Sequence, residues 1–376
     1  MTTFTVSAIK ADVGSPGGHM RPGDDMIEIA RTSVEDATKN GLLVDGWVSH
    51  TGDDTCLLMV HRKGVGAPDV HNFAHKVFMD MTQKAKDRGY YAAGQDLLVD
   101  APSGNLKGAG PGVAEIECTF GTPERKVESF MLVTADKCGP GAYGFPLAMV
   151  FANPMHNTGL LLKKEMFAGF DVTVLDMNHT DGDRTITIHL PEEHLLLYAL
   201  LRNPDRFAIL EIHSRMYPEH QIVSVAATRL HNISGVYSGK DDPAMLIRTQ
   251  GVFPAPEELV HPWAMIDQIV TGDCRGSHNM PIMPVALNSA INGPYCHPIA
   301  AAAAFSLSHE GRLSQPIDCF GGPGWDYVRL RNQEFAIKFR QQGTFGVALA
   351  AQEELAYTGL KALDSQLAER FETKRA

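Results

Sequence analysis

The sequence predicts a mixed α/β domain of the α+β kind, and three observations carry that prediction. Extended apolar runs alternate with runs whose apolar residues recur at helical spacing. Apolar residues make up 44% of the 376 residues and charged residues 20%, a composition typical of a globular protein with a sizeable core. No internal repeat and no Gly-, Pro- or Ser-rich linker divides the chain, so residues 1–376 are predicted to form a single domain.

The first half of the chain is predicted from capping and turn signals. The expected elements are strand 3–9, helix 24–40, strands 42–50 and 55–61, helix 70–88 and strand 127–134. Asp24 or Asp25 can cap the first helix and Gly41 can end it. Only residues 51–54 separate the second and third strands, and their Gly/Asp composition predicts a hairpin.

The second half is strand-rich in its middle and helical towards its end. The expected elements are strands 170–177, 184–190 and 222–230, and helices 194–201, 333–342 and 350–370.

Charge and cysteine usage exclude several classes of partner. Lys and Arg number 33 against 44 Asp and Glu, and a net charge of −11 disfavours broad nucleic-acid binding. The longest apolar runs, 195–201 and 299–305, fall far short of the roughly 20 residues that a membrane helix needs. Six scattered cysteines without a CxxC motif, and a start without a signal-peptide pattern, favour a reducing cytoplasm.

Acidic residues recur at the ends of the predicted strands and in turns. The six are Asp12, Asp53, Asp54, Asp136, Asp241 and Asp242. If they met in one cleft they would repel one another, and bound divalent cations would remove that repulsion. Their oxygen ligands favour Mg²⁺ over zinc or copper. The alternative is that each aspartate only forms turn hydrogen bonds, which is common at such positions.

A lysine next to two of these acids suggests carbonyl chemistry. Lys240 precedes Asp241 and Asp242, and cations held there would favour the neutral amine that attacks a carbonyl. The alternative is a surface turn. Glycine-rich turns at 13–19, 103–105 and 108–112 could bind phosphate oxygens, but none matches a nucleotide-binding motif.

The motifs together resemble the archaeal-type bifunctional fructose-1,6-bisphosphate aldolase/phosphatase family, the type V fructose bisphosphatases. In order, they are Lys10-Ala11-Asp12-Val13-Gly14-Ser15, Gly52-Asp53-Asp54, Tyr91-Ala92-Ala93-Gly94-Gln95-Asp96, Ser103-Gly104-Asn105, Gly110-Pro111-Gly112, Ala135-Asp136-Lys137, Gly239-Lys240-Asp241-Asp242-Pro243 and Arg275-Gly276-Ser277-His278. The resemblance is clear over residues 3–285 and faint over 286–376.

The resemblance implies a fold, an assembly and a reaction. The fold is a four-layer α-β-β-α sandwich, and the assembly is a homo-octamer. The reaction, a step of gluconeogenesis, joins dihydroxyacetone phosphate and glyceraldehyde 3-phosphate through a lysine Schiff base. The 1-phosphate of the resulting fructose 1,6-bisphosphate is then hydrolysed in the same site, which holds several Mg²⁺ ions.

The resemblance also implies residue roles. Lys240 matches the Schiff-base lysine, Tyr237 the aldolase acid/base, and Asp12 the proton acceptor in phosphate hydrolysis. Metal positions match Asp12, His19, Asp53, Asp54, Gln95, Asp136, Asp241 and Asp242. Sugar- or phosphate-contacting positions match His19, Tyr91, Gly104, Asn105, Lys137, Gln250, Arg275, Asn292 and Tyr357.

The chain departs from the family over residues 285–295, which are fewer than expected. Asn292 stands there in place of an aspartate that contacts the substrate. One alternative is therefore an aldolase or phosphatase of the same family that acts on another aldehyde or sugar phosphate. Another is a non-catalytic protein that binds metal or sugar phosphate, although such a protein would need neither Lys240 nor Tyr237.

Overall fold

Two largely antiparallel sheets pack face to face in a computed structural model that describes residues 1–97, 110–177, 184–227, 243–265, 267–272, 278–291 and 297–341. The first sheet has the strand order β2-β3-β1-β4. Its strands are β1 (Thr2–Asp12), β2 (Asp45–Thr51), β3 (Asp54–His61) and β4 (Gly112–Phe120).

The second sheet is longer and runs in the order β13-β14-β5-β10-β9-β8-β6-β7, with β15 paired to β14. Its strands are β5 (Glu128–Asp136), β6 (Phe170–Asp176), β7 (Arg184–Leu190), β8 (Phe207–Ser214), β9 (Gln221–Val225), β10 (Ala244–Thr249), β13 (Met283–Pro284), β14 (Ile299–Leu307) and β15 (Ile317–Asp318). The β13–β14 pair is parallel. A separate antiparallel pair is formed by β11 (Ile269–Gly272) and β12 (His278–Pro281).

Helices cover the outer face of each sheet. The helices are α1 (Asp24–Lys39), α2 (Pro68–Arg88), α3 (Gly144–Ala152), α4 (Gly159–Leu162), α5 (Lys164–Phe167), α6 (His194–Leu201), α7 (Pro256–Met265) and α8 (Asp326–Arg340). Apolar residues of α1 and α2 pack on the first sheet, and those of α3, α6 and α7 pack on the second. Every described helix is too short or too polar to cross a membrane.

The alternation of side chains along a strand explains how the first sheet packs against helices on one face and against the second sheet on the other. On β1, Ile9 and Ala11 face the helices, whereas Val6 and Ala8 pack towards Leu132 and other residues of the second sheet. The order of layers is therefore α-β-β-α, which confirms the architecture implied by the resemblance.

Most predicted elements are present, with shifted ends. The helices expected at 24–40, 70–88 and 194–201 are α1, α2 and α6, and the strand expected at 184–190 is β7. The strand expected at 3–9 continues to Asp12, and the helix expected at 333–342 begins at Asp326. Residues 228–230, within a predicted strand, and the helix predicted at 350–370 lie outside the described residues.

Candidate active site

The layer between the two sheets changes from apolar to polar at one end. Along β1 its residues are Phe4, Val6 and Ala8, then Lys10 and Asp12. Asp12 pairs with Asp54 across β1 and β3. We call the polar group at this end the acidic site; its members are Lys10, Asp12, His19, Asp53, Asp54, Asp96, Asp136 and Lys137.

A tight hairpin brings two of the aspartates to the acidic site. The strands β2 and β3 extend so far that only Gly52 and Asp53 form the tip. Gly52 has φ +56°, and a Cβ added there would lie 1.5 Å from Asp136 Oδ2. The Asp53 backbone N–H donates to the same Asp136 oxygen at 3.2 Å. Glycine is therefore required by both the backbone conformation and the approach of the second sheet.

Three residues converge closely enough to hold one cation. His19 Nδ1 lies 3.0 Å from Asp53 Oδ2 and 3.6 Å from Asp12 Oδ2. One ligand atom from each of the three lies within 4.8 Å of the others. The His19 ring also meets the Tyr91 ring edge-on, with centroids 5.0 Å apart. The structure thus brings together residues that the sequence separates by up to 79 positions.

The proton affinities in this group reflect strong electrostatic fields. Burial opposes the charged imidazole, but hydrogen bonds to Asp12 and Asp53 outweigh it and raise the pKa of His19 to about 10. Burial and the charge of Asp53 raise the pKa of Asp12 above its ordinary value. Burial also disfavours ionised Asp53, yet Lys137 and His19 outweigh it and lower the pKa of Asp53.

Lys137 connects the hairpin to the second sheet. Its Nζ lies 2.5 Å from Asp53 Oδ1 and 2.7 Å from Asp136 Oδ1. Lys137 has φ +65°, an uncommon backbone conformation for a residue with a Cβ. Such a conformation at a cluster of buried charges is typical of functional sites.

Two members of the acidic site were not predicted from the sequence. Lys10 is buried and paired with Asp54. Asp96 Oδ2 accepts a hydrogen bond from the Asp12 backbone N–H at 2.9 Å, and Asp12 Oδ1 accepts one from the Gly14 N–H at the same distance. Lys10 could have been found, because it lies two residues before Asp12 and therefore on the same face of the strand.

The chemistry of these residues fits a divalent cation. When all are ionised, the five carboxylates exceed the positive charges of Lys10, Lys137 and His19 by two. Uncompensated charge is costly in a buried site, and a bound cation would compensate it. Carboxylate oxygens suit both Mg²⁺ and Mn²⁺.

Other predicted site residues lie elsewhere or outside the described residues. Gln95 begins a short 3₁₀ helix beside Asp96. Gln250 follows β10 at the end where Thr249 pairs with Ser129, roughly 20 Å along the sheet from Asp136, so its substrate contact stays a prediction. The residues outside are Gly104, Asn105, Tyr237, Lys240, Asp241, Asp242, Arg275, Asn292 and Tyr357.

Comparison with known proteins identifies the family. A sequence model of the family described as Fructose-1,6-bisphosphatase matches residues 3–372. The chain belongs to this family. The match therefore runs past residue 285 into the C-terminal part of the chain.

Three proteins similar to this chain have the same name. A protein of Thermus thermophilus named "Fructose-1,6-bisphosphate aldolase/phosphatase" is 45% identical over 96% of this chain and 99% of its own length. Proteins with the same name from Cenarchaeum symbiosum and Thermococcus kodakarensis are 42% and 38% identical. They are matched over 94% and 98% of this chain, and over 90% and 98% of their own lengths.

Proposed function

We propose that the protein forms fructose 1,6-bisphosphate from dihydroxyacetone phosphate and glyceraldehyde 3-phosphate, and then hydrolyses the 1-phosphate to give fructose 6-phosphate. The observation that carries this proposal is the convergence of the buried Asp12 and Asp53 with the partly buried His19 in a chain of the fructose-1,6-bisphosphatase family. Relatives that are 36–45% identical are named for both activities, which favours fructose bisphosphate over another substrate of this family.

The aldol step is assigned to residues that match the family motif. The amine of Lys240 adds to the ketone of dihydroxyacetone phosphate, and loss of water gives an iminium ion. Tyr237, as its phenolate, takes the α-proton. The resulting enamine attacks the aldehyde carbon of glyceraldehyde 3-phosphate, and the Tyr237 hydroxyl returns the proton to the aldehyde oxygen as the new carbon–carbon bond forms. Hydrolysis of the new iminium frees Lys240. Tyr237 lies three residues before Lys240, so a turn would bring its hydroxyl near that proton.

The hydrolytic step is assigned to the acidic site. When bound, Mg²⁺ would neutralise phosphoryl oxygens and acidify a water molecule. Asp12 would accept the proton of that water. Its Oδ1 accepts a hydrogen bond from the Gly14 N–H, which orients the carboxylate for this role.

The proposed cation ligands come from both sheets. From the described residues they are Asp12, His19, Asp53, Asp54, Gln95 and Asp136, and Asp241 and Asp242 would complete the set by resemblance. The Lys137 ammonium contacts two of these carboxylates. When cations bind the carboxylates in its place, the ammonium would be able to contact a substrate phosphate.

We further propose a homo-oligomer, an octamer by resemblance, that works in the cytoplasm on small sugar phosphates without nucleic-acid or membrane partners. Large apolar side chains exposed on the outer helices support an assembly of several copies. They include Leu161, Leu162, Phe167, Leu195, Leu196, Tyr327 and Leu330. Light scattering should give about eight times the 41.0 kDa of one chain, and a monomer would contradict the assembly.

Two assays on the same preparation test the proposed activities. Borohydride added with dihydroxyacetone phosphate should reduce the iminium and leave a covalent adduct that mass spectrometry maps to Lys240. Phosphate release from fructose 1,6-bisphosphate should require Mg²⁺. An adduct without phosphate release would favour an aldolase with another acceptor. A protein that gives neither result but binds sugar phosphate would be a binding protein.

A further inference from the structure

One segment crosses from the second sheet to the hairpin of the first. We call residues 285–291 the strap. At its start, the Val285 N–H donates to Ala300 O at 2.8 Å, and the Leu287 N–H donates to Asp318 Oδ2 at 2.9 Å. Val285 and Ile291 are buried in a small apolar cluster with residues of β13 and β14. The strap is therefore anchored on the second sheet.

The strap binds the outer edge of the hairpin. Asn288 Oδ1 accepts a hydrogen bond from the His50 backbone N–H at 3.0 Å. Ser289 O accepts one from the Gly52 N–H at 2.9 Å. Because β2 is the edge strand of the first sheet, its alternate N–H groups point away from β3. The strap binds one of them, at His50, and also the N–H of Gly52 in the hairpin tip.

The other end of the strap reaches the loop that carries His19. The Ile291 N–H donates to Met20 O at 3.0 Å. A single segment thus touches the residue next to His19 and the hairpin tip that holds Asp53. His19 and Asp53 are two of the three residues whose ligand atoms converge in the acidic site.

We propose that the strap positions the cation ligands, with Asn288 as its positioning residue. The inference rests on the proposed cation site. Cation binding demands that ligands stay within about 0.5 Å of their places. The hairpin tip contains Gly52, which leaves its backbone free to move unless it is held from outside. Asp136 holds the tip on one side through the Asp53 N–H, and the strap holds it on the other.

The strap lies within residues 285–295, where the resemblance to the family shows a departure. Asn288 has φ +60°, a conformation that asparagine tolerates better than most residues do. Its exposed side chain makes the bond to His50 without contributing to the core. Its substitution therefore separates positioning of the hairpin from stability of the fold.

Two substitutions at Asn288 isolate the hydrogen bond. Asn288→Gly keeps the positive φ and removes the acceptor, whereas Asn288→Asp keeps an acceptor oxygen. Asn153→Ala is a matched control, because Asn153 Oδ1 accepts the Met155 N–H at 3.0 Å in an exposed loop of the helical layer. Chelator-treated protein is titrated with Mn²⁺, free Mn²⁺ is measured by electron paramagnetic resonance, and thermal unfolding is recorded in chelator.

The proposal predicts a specific loss of cation affinity. Asn288→Gly should bind Mn²⁺ about tenfold more weakly, the loss typical of removing a group that orients a ligand. Asn288→Asp and Asn153→Ala should stay within about twofold of wild type, and both the Gly variant and the control should unfold within about 2 °C of it in chelator.

Several results would overturn the positioning role. They are unchanged Mn²⁺ binding by Asn288→Gly, an equal loss in Asn288→Asp, or a wild type that binds no Mn²⁺. The measurement does not depend on catalysis. If the wild type binds Mn²⁺ and the variants behave as predicted, but no phosphate is released from fructose 1,6-bisphosphate, the positioning role stands and the proposed function fails.

Discussion

Replacing Gly52 by alanine should damage both stability and cation binding, because the new methyl group would occupy the place of a carboxylate. A Cβ at residue 52 would lie 1.5 Å from Asp136 Oδ2 and 3.0 Å from Ile291 Cδ1. The Asp136 carboxylate must therefore move. The movement would break two contacts of this carboxylate: the hydrogen bond from the Asp53 N–H, now 3.2 Å long, and the ion pair with the Lys137 ammonium, now 2.7 Å long.

The size of the effect follows from two contributions. Alanine at positive φ costs about 1–2 kcal/mol. Breaking a buried ion pair costs about 3–5 kcal/mol when one partner is left behind. Because Lys137 keeps its contact with Asp53, we expect part of that second cost, and a total of about 4 kcal/mol. With an unfolding entropy of about 2.1 cal/mol/K per residue over 376 residues, the melting temperature should fall by about 5 °C.

A matched glycine separates the two contributions. Gly89 has φ +67°, and a Cβ added there would meet no atom within 4 Å. Gly89→Ala should therefore cost only the conformational part, about 1–2 °C. Differential scanning calorimetry in chelator and in Mg²⁺ should show that Gly89→Ala is stabilised by Mg²⁺ as wild type is, whereas Gly52→Ala is not.

Equal melting temperatures for the two variants, together with full stabilisation of Gly52→Ala by Mg²⁺, would refute this reasoning. That outcome would mean that the hairpin tip and Asp136 can separate without loss of the cation site.

Three further predictions concern the cation and the division of roles. Chelation should abolish activity and lower the melting temperature, and Mg²⁺ should restore both, because buried carboxylates repel one another by several kcal/mol; an unchanged melting temperature would contradict a convergent site. Asp54→Ala should abolish phosphate release yet leave the borohydride adduct, while Lys240→Ala should remove the adduct and aldol formation; equal partial losses in both variants would mean that the roles are wrongly divided. Asn292→Asp should change kcat/KM for phosphate release from fructose 1,6-bisphosphate less than about threefold if the family substrate is retained, and a large gain would support another natural substrate, since an asparagine donates where an aspartate only accepts.

The local parts of the fold could be predicted from the sequence. The hairpin at residues 51–54 was expected from its short Gly/Asp connection, and α1 from its helically spaced apolar residues and from Gly41 after its end, because both depend on neighbouring residues. The cap expected from Asp24 or Asp25 is wrong: Gly23 is the N-cap, no side chain caps the helix, and both aspartates lie in its first turn. The strand β14 is different. Its run of alanines, residues 300–304, has helical propensity. In the fold this segment pairs with β5 and its small side chains are buried on both faces of the sheet, so tertiary packing decides the conformation.

The candidate site could be predicted only in part. The prediction that Asp12, Asp53 and Asp136 bind a cation came from their places at strand ends and in turns and from the resemblance. Their convergence depends on how two sheets stack, since Asp53 and Asp136 are 83 positions apart. Asp96 was missed because a single charge in a short helix has no local pattern that separates a site residue from a surface one. The alternation of side chains along β1, which places Lys10 on the same face as Asp12, is the one signal that points to Lys10.

One cation-dependent site is proposed to join two triose phosphates and then release one phosphate. The direct measurement incubates chelator-treated protein with dihydroxyacetone phosphate and glyceraldehyde 3-phosphate at increasing Mg²⁺ and quantifies fructose 6-phosphate and inorganic phosphate together. Both products should rise with Mg²⁺ and in a ratio of about one to one, because each aldol product loses a single phosphate. Phosphate without fructose 6-phosphate, or equal product yields in the presence of excess chelator, would contradict it.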